Sequence, residues 1–342
     1  MSKMLAAIFG CSGPKLTPAE AMFFRDANPW AFILFARNIK NPKQVSALCN
    51  DLRKAVGRDA LIFVDQEGGR VQRLRSPYWD IYRPAADFAA LYKHDKEVAQ
   101  RATYLNMRLI ADDLRQVGIT ANCAPVLDIP VKGADDIISD RAYGTSADDV
   151  IKLAHAAMAG LLSGGVAPVI KHIPGHGRAT VDSHKALPVI DTAIRKLGKT
   201  DFAPFKALSD APMAMTAHAV FTKVDKTAPI TISKTAFDKV IRKTIGFDGL
   251  VMSDDLDMKA LSGTLTNRTE DALKAGCDIA LQCSGQLPDM VNVAKGAKSL
   301  EGKALLRANI AELSVDLPLA IDREAVKIEL EELMNSSEIL AS

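Results

Sequence analysis

The chain has 342 residues, 48% of them hydrophobic and 25% charged, with a net charge of +2. That is enough apolar material for a sizeable core in one large α/β domain or two small ones. The near-neutral balance gives no electrostatic footprint for nucleic acid or an anionic membrane surface.

No stretch approaches the roughly 20 apolar residues of a membrane span. The opening MSKMLAAIFGCSG lacks the long apolar region and the cleavage site of a signal peptide. Cys11, Cys49, Cys123, Cys277 and Cys283 are scattered, with no C-x-x-C and no pairing rhythm. They read as free thiols in a reducing cytoplasm.

Along the chain, short β-rich apolar runs alternate with longer helical patterns. The first run, 5–11, leads into Thr17-Pro18-Ala19-Glu20, a capping box with proline at the first helical position. The second run, 32–38, precedes a helix opened by Asn41-Pro42, and the third covers 61–65. Residues 96–116 have helical periodicity and end at Gly118, after which 119–128 is the fourth run. Ser146 with Asp149 starts the helix before the fifth run, 166–172. Helices over 191–208, 233–244 and 267–275 separate the last runs, 212–221, 249–254 and 279–283. The chain beyond is mostly helical, and residues 323–340, charged and amphipathic, are expected on the barrel exterior.

Eight such runs, apolar without alternation, predict a closed parallel barrel covered on both faces. An open doubly wound sheet would carry a phosphate-binding glycine fingerprint in its first βα turn, and none appears. With no linker, repeat or low-complexity tract, the expectation is an α/β fold. It is a single-domain (β/α)8 TIM-type barrel over residues 1–342, with helices from about 286 packed on it.

Such barrels gather chemistry at the C-terminal ends of their strands, and the polar residues fall there repeatedly. The third run ends in DQEGGR (65–70), the fourth in APVLD (124–128) and the fifth in KHIPGHG (171–177). His218 belongs to the sixth, and the seventh runs into SDDLD (253–257). A lone aspartate at a strand end often only caps the next helix. Charge at several strand ends on one rim is harder to explain that way, since a barrel does not need it for stability.

The segment KHIPGHGRATVDSH, 171–184, is the richest. Its glycines and proline specify an irregular loop. A loop carrying His184 and Asp182 suits an enzyme that brings an acid/base to its substrate. If the two pair, which needs a bend, the carboxylate would orient the imidazole and stabilise its cation. A solvated loop with capping duties is the plainer alternative. Metal binding by His172, His176, Asp182 and His184 is a third, weakened by the lack of rigid elements to hold them. Asp254, the last residue of its run, is placed at the rim, where a carboxylate can sit beneath a sugar's anomeric carbon. Asp255 and Asp257 compete for that role; alternation aims Asp255 differently, and Asp257 lies further into the loop.

These motifs, with FILFARN at 32–38 and GFDGLVMSDDL at 246–256, occur in order and resemble the single-domain bacterial β-N-acetylglucosaminidases of glycoside hydrolase family 3. The likeness covers about residues 32–285. It implies a hydrolase of cell-wall recycling that removes terminal β-linked N-acetylglucosamine from 1,6-anhydromuropeptides. Asp254 would be the nucleophile, His184 the general acid/base and Asp182 its partner. Asp65, Arg73, Arg141, Lys171 and His172 would hold the sugar. No cofactor, metal, nucleic acid or membrane partner is implied, and oligomeric state is left open. A phosphorylase and a sugar-binding barrel without catalysis are the competing functions.

Overall fold

Parity along eight short strands decides which side chains reach the centre of the molecule. The structure is a computed structural model describing residues 3–340. Its barrel strands are β1 (Leu5–Phe9), β2 (Pro29–Leu34), β3 (Leu61–Val64), β4 (Ala121–Asn122), β5 (Ala167–Ile173), β6 (Met213–Thr216), β7 (Leu250–Asp255) and β8 (Ile279–Gln282). All pair in parallel with their neighbours in chain order, and β8 returns to β1, so the barrel is closed. Register aligns Ala31 with Leu61, Val169 with Met213, and Met213 with Leu250.

Ile8, Ile33, Leu61, Phe63, Val169, Met213, Leu250, Met252 and Leu281 pack together inside the barrel. Their strand neighbours, such as Phe9, Leu34, Ile62, Ile170 and Val251, join a second cluster with the surrounding helices. Extending the inward series by one step reaches Asp65 after Phe63, Lys171 after Val169 and Asp254 after Met252. These three lie at the C-terminal mouth.

The opposite end is sealed by the C-terminal part of the chain. Leu300, Ala308 and Ala311 join the inner cluster, and Trp30 Nε1 donates to Glu312 Oε1 at 2.6 Å. The helix Arg323–Leu340 lies outside, where Arg323 bridges Asp80, Asp112 and Asp113 at 2.9, 2.9 and 2.7 Å. No helix of the described residues is long and apolar enough to cross a membrane.

The capping signals form as the sequence specifies. Thr17, Asn41 and Ser146 each accept a backbone N–H from three residues on, and Thr17 with Glu20 completes the box. The helix Lys96–Gln116 has its expected bounds.

Several elements differ from expectation: the sixth run splits into Met213–Thr216 in the barrel and Val220–Phe221, which pairs with Val189–Ile190 in a separate sheet, and 233–244 forms a short α-helix, Lys234–Ala236, followed by a π-helix, Phe237–Ile245. The second strand begins at Pro29, and residues 36–38 form a 3-10 turn because Asn38 Oδ1 takes the Phe35 N–H. The fourth strand is only two residues long, since the Asn122 side chain bonds both the N–H and the carbonyl of Gln66 in place of the ladder. The helix expected over 191–208 divides into Ile194–Lys199 and Phe202–Ala207, because Pro204 has no N–H to continue the first.

Candidate active site

At the mouth, β3 and β5 bring together charges that could not be buried singly. The Lys171 side chain is 2% exposed, and its Nζ lies 2.9 Å from Asp65 Oδ1 and 2.7 Å from Glu67 Oε1. Arg73 reaches the other Asp65 oxygen at 3.1 Å. Arg141 grips Glu67 with Nε and Nη2, each at 2.8 Å, in the bidentate fork that fits a carboxylate. Burial opposes the charge on Asp65 and Glu67, but Lys171 with Arg73 and Arg141 outweighs it, holding both acids well below the carboxylate range. The same carboxylates push Lys171 up despite its burial.

His172 follows Lys171 through a cis peptide bond. Its Nδ1 contacts Asp128 Oδ2 at 2.6 Å, which leaves Nε2 as the ring nitrogen without that partner. Asp128, fully buried, also accepts the backbone N–H groups of His172 and His176 at 3.2 and 2.6 Å. One aspartate from the loop after β4 thus fixes the turn after β5.

At the end of β7, the Asp254 N–H donates to Thr216 Oγ1 at 3.3 Å, and Asp254 Oδ1 accepts the Asp255 N–H at 2.8 Å. Burial raises the Asp254 pKa, but the His218 and His172 imidazoles and the Asp255 N–H outweigh it, so the carboxyl stays below its ordinary value. His218 is buried and its pKa is lowered by that burial. Its Nε2 donates to the Asp255 carbonyl at 3.0 Å, and Nδ1 meets the Thr231 hydroxyl at 2.6 Å. Asp255 behaves oppositely to its neighbour. Burial, then the charge of Asp257, raises it to about 7. Its Oδ1 accepts the N–H groups of Asp257 and Cys283 at 3.2 and 3.1 Å.

The loop between β5 and β6 supplies His184. Lys185 and Ala186 N–H groups bond the Asp182 carbonyl at 2.9 and 3.1 Å, making the bend that lets residues two apart pair. Asp182 Oδ1 takes both the His184 N–H and Nδ1 at 2.9 Å. The imidazole is 65% exposed while the Asp182 side chain is 13% exposed. Between them, the Ser183 carbonyl accepts the Ala260 N–H at 3.2 Å, hooking this loop to the one after β7.

All of this surrounds one cavity of about 250 Å³, lined by Asp65, Glu67, Arg73, Arg141, Lys171, His172, His176, His184, Asp254 and Asp255. A pocket with two reactive carboxyls at its base, a paired ionic wall and an accessible imidazole at its edge is equipped for acid/base and nucleophilic chemistry on a polyhydroxylated ligand.

Residues 19–313 match the model of the glycosyl hydrolase family 3 N-terminal domain. The chain belongs to glycosyl hydrolase family 3.

A β-hexosaminidase of Thiobacillus denitrificans is 35% identical over 88% of this chain and 84% of its own length. NagZ from Neisseria gonorrhoeae superposes with a TM-score of 0.85 at 29% identity, over 99% of this chain and 98% of that one. Its complex with N-trifluoroacetyl-D-glucosamine gives 0.84. A family 3 β-N-acetylglucosaminidase from Paenibacillus gives 0.86 at 26% identity, and this chain spans 66% of that longer protein. This family 3 chain is a glycoside hydrolase of the β-N-acetylhexosaminidase type.

Of the residues singled out from sequence, Asp254, His184, Asp65, Arg73, Arg141, Lys171 and His172 line the family 3 pocket, and Asp182 stands behind His184. Asp255 borders it too, although its parity is opposite, because the strand ends there and its carboxyl turns onto the loop. Sequence reasoning named no role for Glu67, and weighed His176 only as a candidate metal ligand. Glu67 was legible as charge bookkeeping: Arg73, Lys171 and Arg141 exceed what Asp65 alone can neutralise. His176 carried no such signal.

Proposed function

We propose that this enzyme is a retaining β-N-acetylglucosaminidase working through a covalent glycosyl-Asp254 intermediate. The observation that carries the proposal is that Asp254 and His184, 70 positions apart by number, line one pocket. Asp254, ionised, attacks the anomeric carbon as the glycosidic C–O bond breaks. His184, protonated, gives its proton to the departing oxygen. The neutral imidazole then takes a proton from a water whose oxygen displaces Asp254, restoring both groups. Asp182 holds the Nδ1 side of the ring, so Nε2 is the nitrogen that exchanges protons.

Asp254 suits the nucleophile's role better than Asp255, because its carboxyl is held in the charged form while Asp255 retains a proton to about pH 7. Asp65, Arg73, Arg141, Lys171 and His172 bind the sugar's hydroxyls and N-acetyl group. Residues 1–342 act as one catalytic domain. The substrates are N-acetylglucosaminyl 1,6-anhydromuropeptides, and the enzyme works in the cytoplasm, without nucleic acid, membrane or metal. Five unpaired cysteines support a reducing compartment.

A fluorinated N-acetylglucosaminyl label, followed by peptide mass mapping, tests the mechanism. The expected adduct is on Asp254; an adduct on Asp255, or turnover without any adduct, overturns it. Release of a sugar 1-phosphate only when phosphate is supplied would make the enzyme a phosphorylase. Binding without turnover would make it a sugar-binding barrel.

A further inference from the structure

His176 is 4% exposed and lines the pocket, yet neither of its ring nitrogens has a hydrogen-bond partner among the described residues. Buried polar groups are almost always satisfied, and an exception points to a ligand or an ordered water. The main chain that carries the ring is held in place. The His176 N–H is held by Asp128 Oδ1 at 2.6 Å, and its carbonyl takes the Ala179 N–H at 3.0 Å. The next residue, Gly177, lies so close to the neighbouring chain that a Cβ there would be 2.0 Å from the Ile129 carbonyl oxygen. On one side the His172 ring packs at 5.8 Å between centroids, tilted by 57°.

The ionic part of the wall is chemically different. Lys171, Arg73 and Arg141 can only donate, Asp65 and Glu67 only accept, and all five are already paired with each other. A neutral imidazole both donates and accepts, as a sugar hydroxyl does.

We propose that His176 is a sugar-binding residue, whose imidazole hydrogen-bonds a ring hydroxyl of the N-acetylhexosamine in the pocket. This rests on the hexosaminidase reading above and adds a residue outside its binding set. Burial, then the neighbouring His172, keeps the ring neutral down to about pH 4, so its contribution does not vary across the neutral range.

The test uses the full chain as wild type, His176→Phe and His176→Gln. Turnover of an aryl N-acetyl-β-glucosaminide, calorimetric binding of N-acetylglucosamine and the thermal midpoint are measured for each. Imidazole ¹⁵N spectra of the wild type are recorded with and without the sugar. His176→Phe should melt no lower than wild type, because it fills the space without unpaired nitrogens. It should lose about tenfold in kcat/KM, carried by KM, with His176→Gln losing about threefold. The wild-type His176 ring signals should shift on adding N-acetylglucosamine, and that measurement decides the matter if both variants unfold. Unshifted signals, or His176→Phe with KM and Kd within about twofold of wild type, would assign the site to water and overturn the proposal while the hexosaminidase reading stands. A wild-type enzyme that neither binds the sugar nor turns over the glucosaminide overturns both.

Discussion

On the β3–β5 side of the pocket, every carboxylate has a cation within hydrogen-bond reach: Asp65 and Glu67 share Lys171, and Arg73 and Arg141 take their remaining oxygens. On the β7 side, Asp254, Asp255 and Asp257 crowd together, and among the described residues their carboxyl oxygens meet backbone N–H groups and the Gln282 amide. The acids of the first side are held ionised well below their ordinary range. On the second side, Asp255 is driven up to about 7 by burial and by Asp257. The fate of a buried carboxyl therefore depends on which charges and donors are buried with it. The paired wall is a rigid binding frame whose charges are already committed. The unpaired rim keeps one ionised and one protonated acid available to a substrate.

Substitutions that strike one side alone can break or sharpen this contrast. The largest effect belongs to Asp254→Ala on the unpaired rim, which should lower hydrolysis of an aryl N-acetyl-β-glucosaminide by about 10⁴-fold or more. Full activity in that variant, with Asp255→Ala dead, would move the nucleophile by one residue.

His184→Ala comes next. A general acid contributes about 10²–10⁴-fold, and that loss should appear on poor leaving groups and shrink on good ones. Because the ring is 65% exposed, the thermal midpoint should stay at the wild-type value. Equal losses on both substrate types would remove His184 from proton transfer.

Lys171→Met attacks the paired wall and should behave differently. It leaves Asp65 and Glu67 facing each other in a buried site, at a cost of about 3–5 kcal/mol in urea unfolding. A variant as stable as wild type would mean that the cluster does not hold the β3 and β5 ends together.

The smallest effect is the pH dependence of Asp255. Its folded pKa lies above the unfolded value, so the stabilisation is fully present below about pH 4 and is lost as pH rises through about 7. Asp255→Asn should therefore gain on wild type between those limits, by about 1.4 kcal/mol for each pH unit in denaturant unfolding. A constant difference between the two proteins across that range would show that Asp255 titrates as an ordinary carboxyl.

Much of the frame was legible because it is periodic or local. Eight apolar runs specified eight strands, and Thr17 with Glu20 or Asn41 with Pro42 set helix starts from neighbours a few residues away. Where side chains replaced backbone partners, the reading failed. Asn122 ends its strand by bonding Gln66 in the loop after β3, a substitution that no local pattern announces. The site divided in the same way. Asp65, Lys171 and Asp254 could be placed from strand ends and motifs. Glu67 and His176 sit in the same motifs, but their parts depend on what lies across the barrel.

The sequence by itself determined the closed parallel barrel, the capped helix starts and the motif residues at its mouth, since strand parity and capping act over a few neighbouring positions. Only the tertiary structure decided which of those charges neutralise one another and which acid stays protonated. It also decided that an imidazole from the β5–β6 loop shares a cavity with the end of β7. Burial and Coulomb interaction depend on distance through space, and barrel closure brings together residues that the chain keeps far apart.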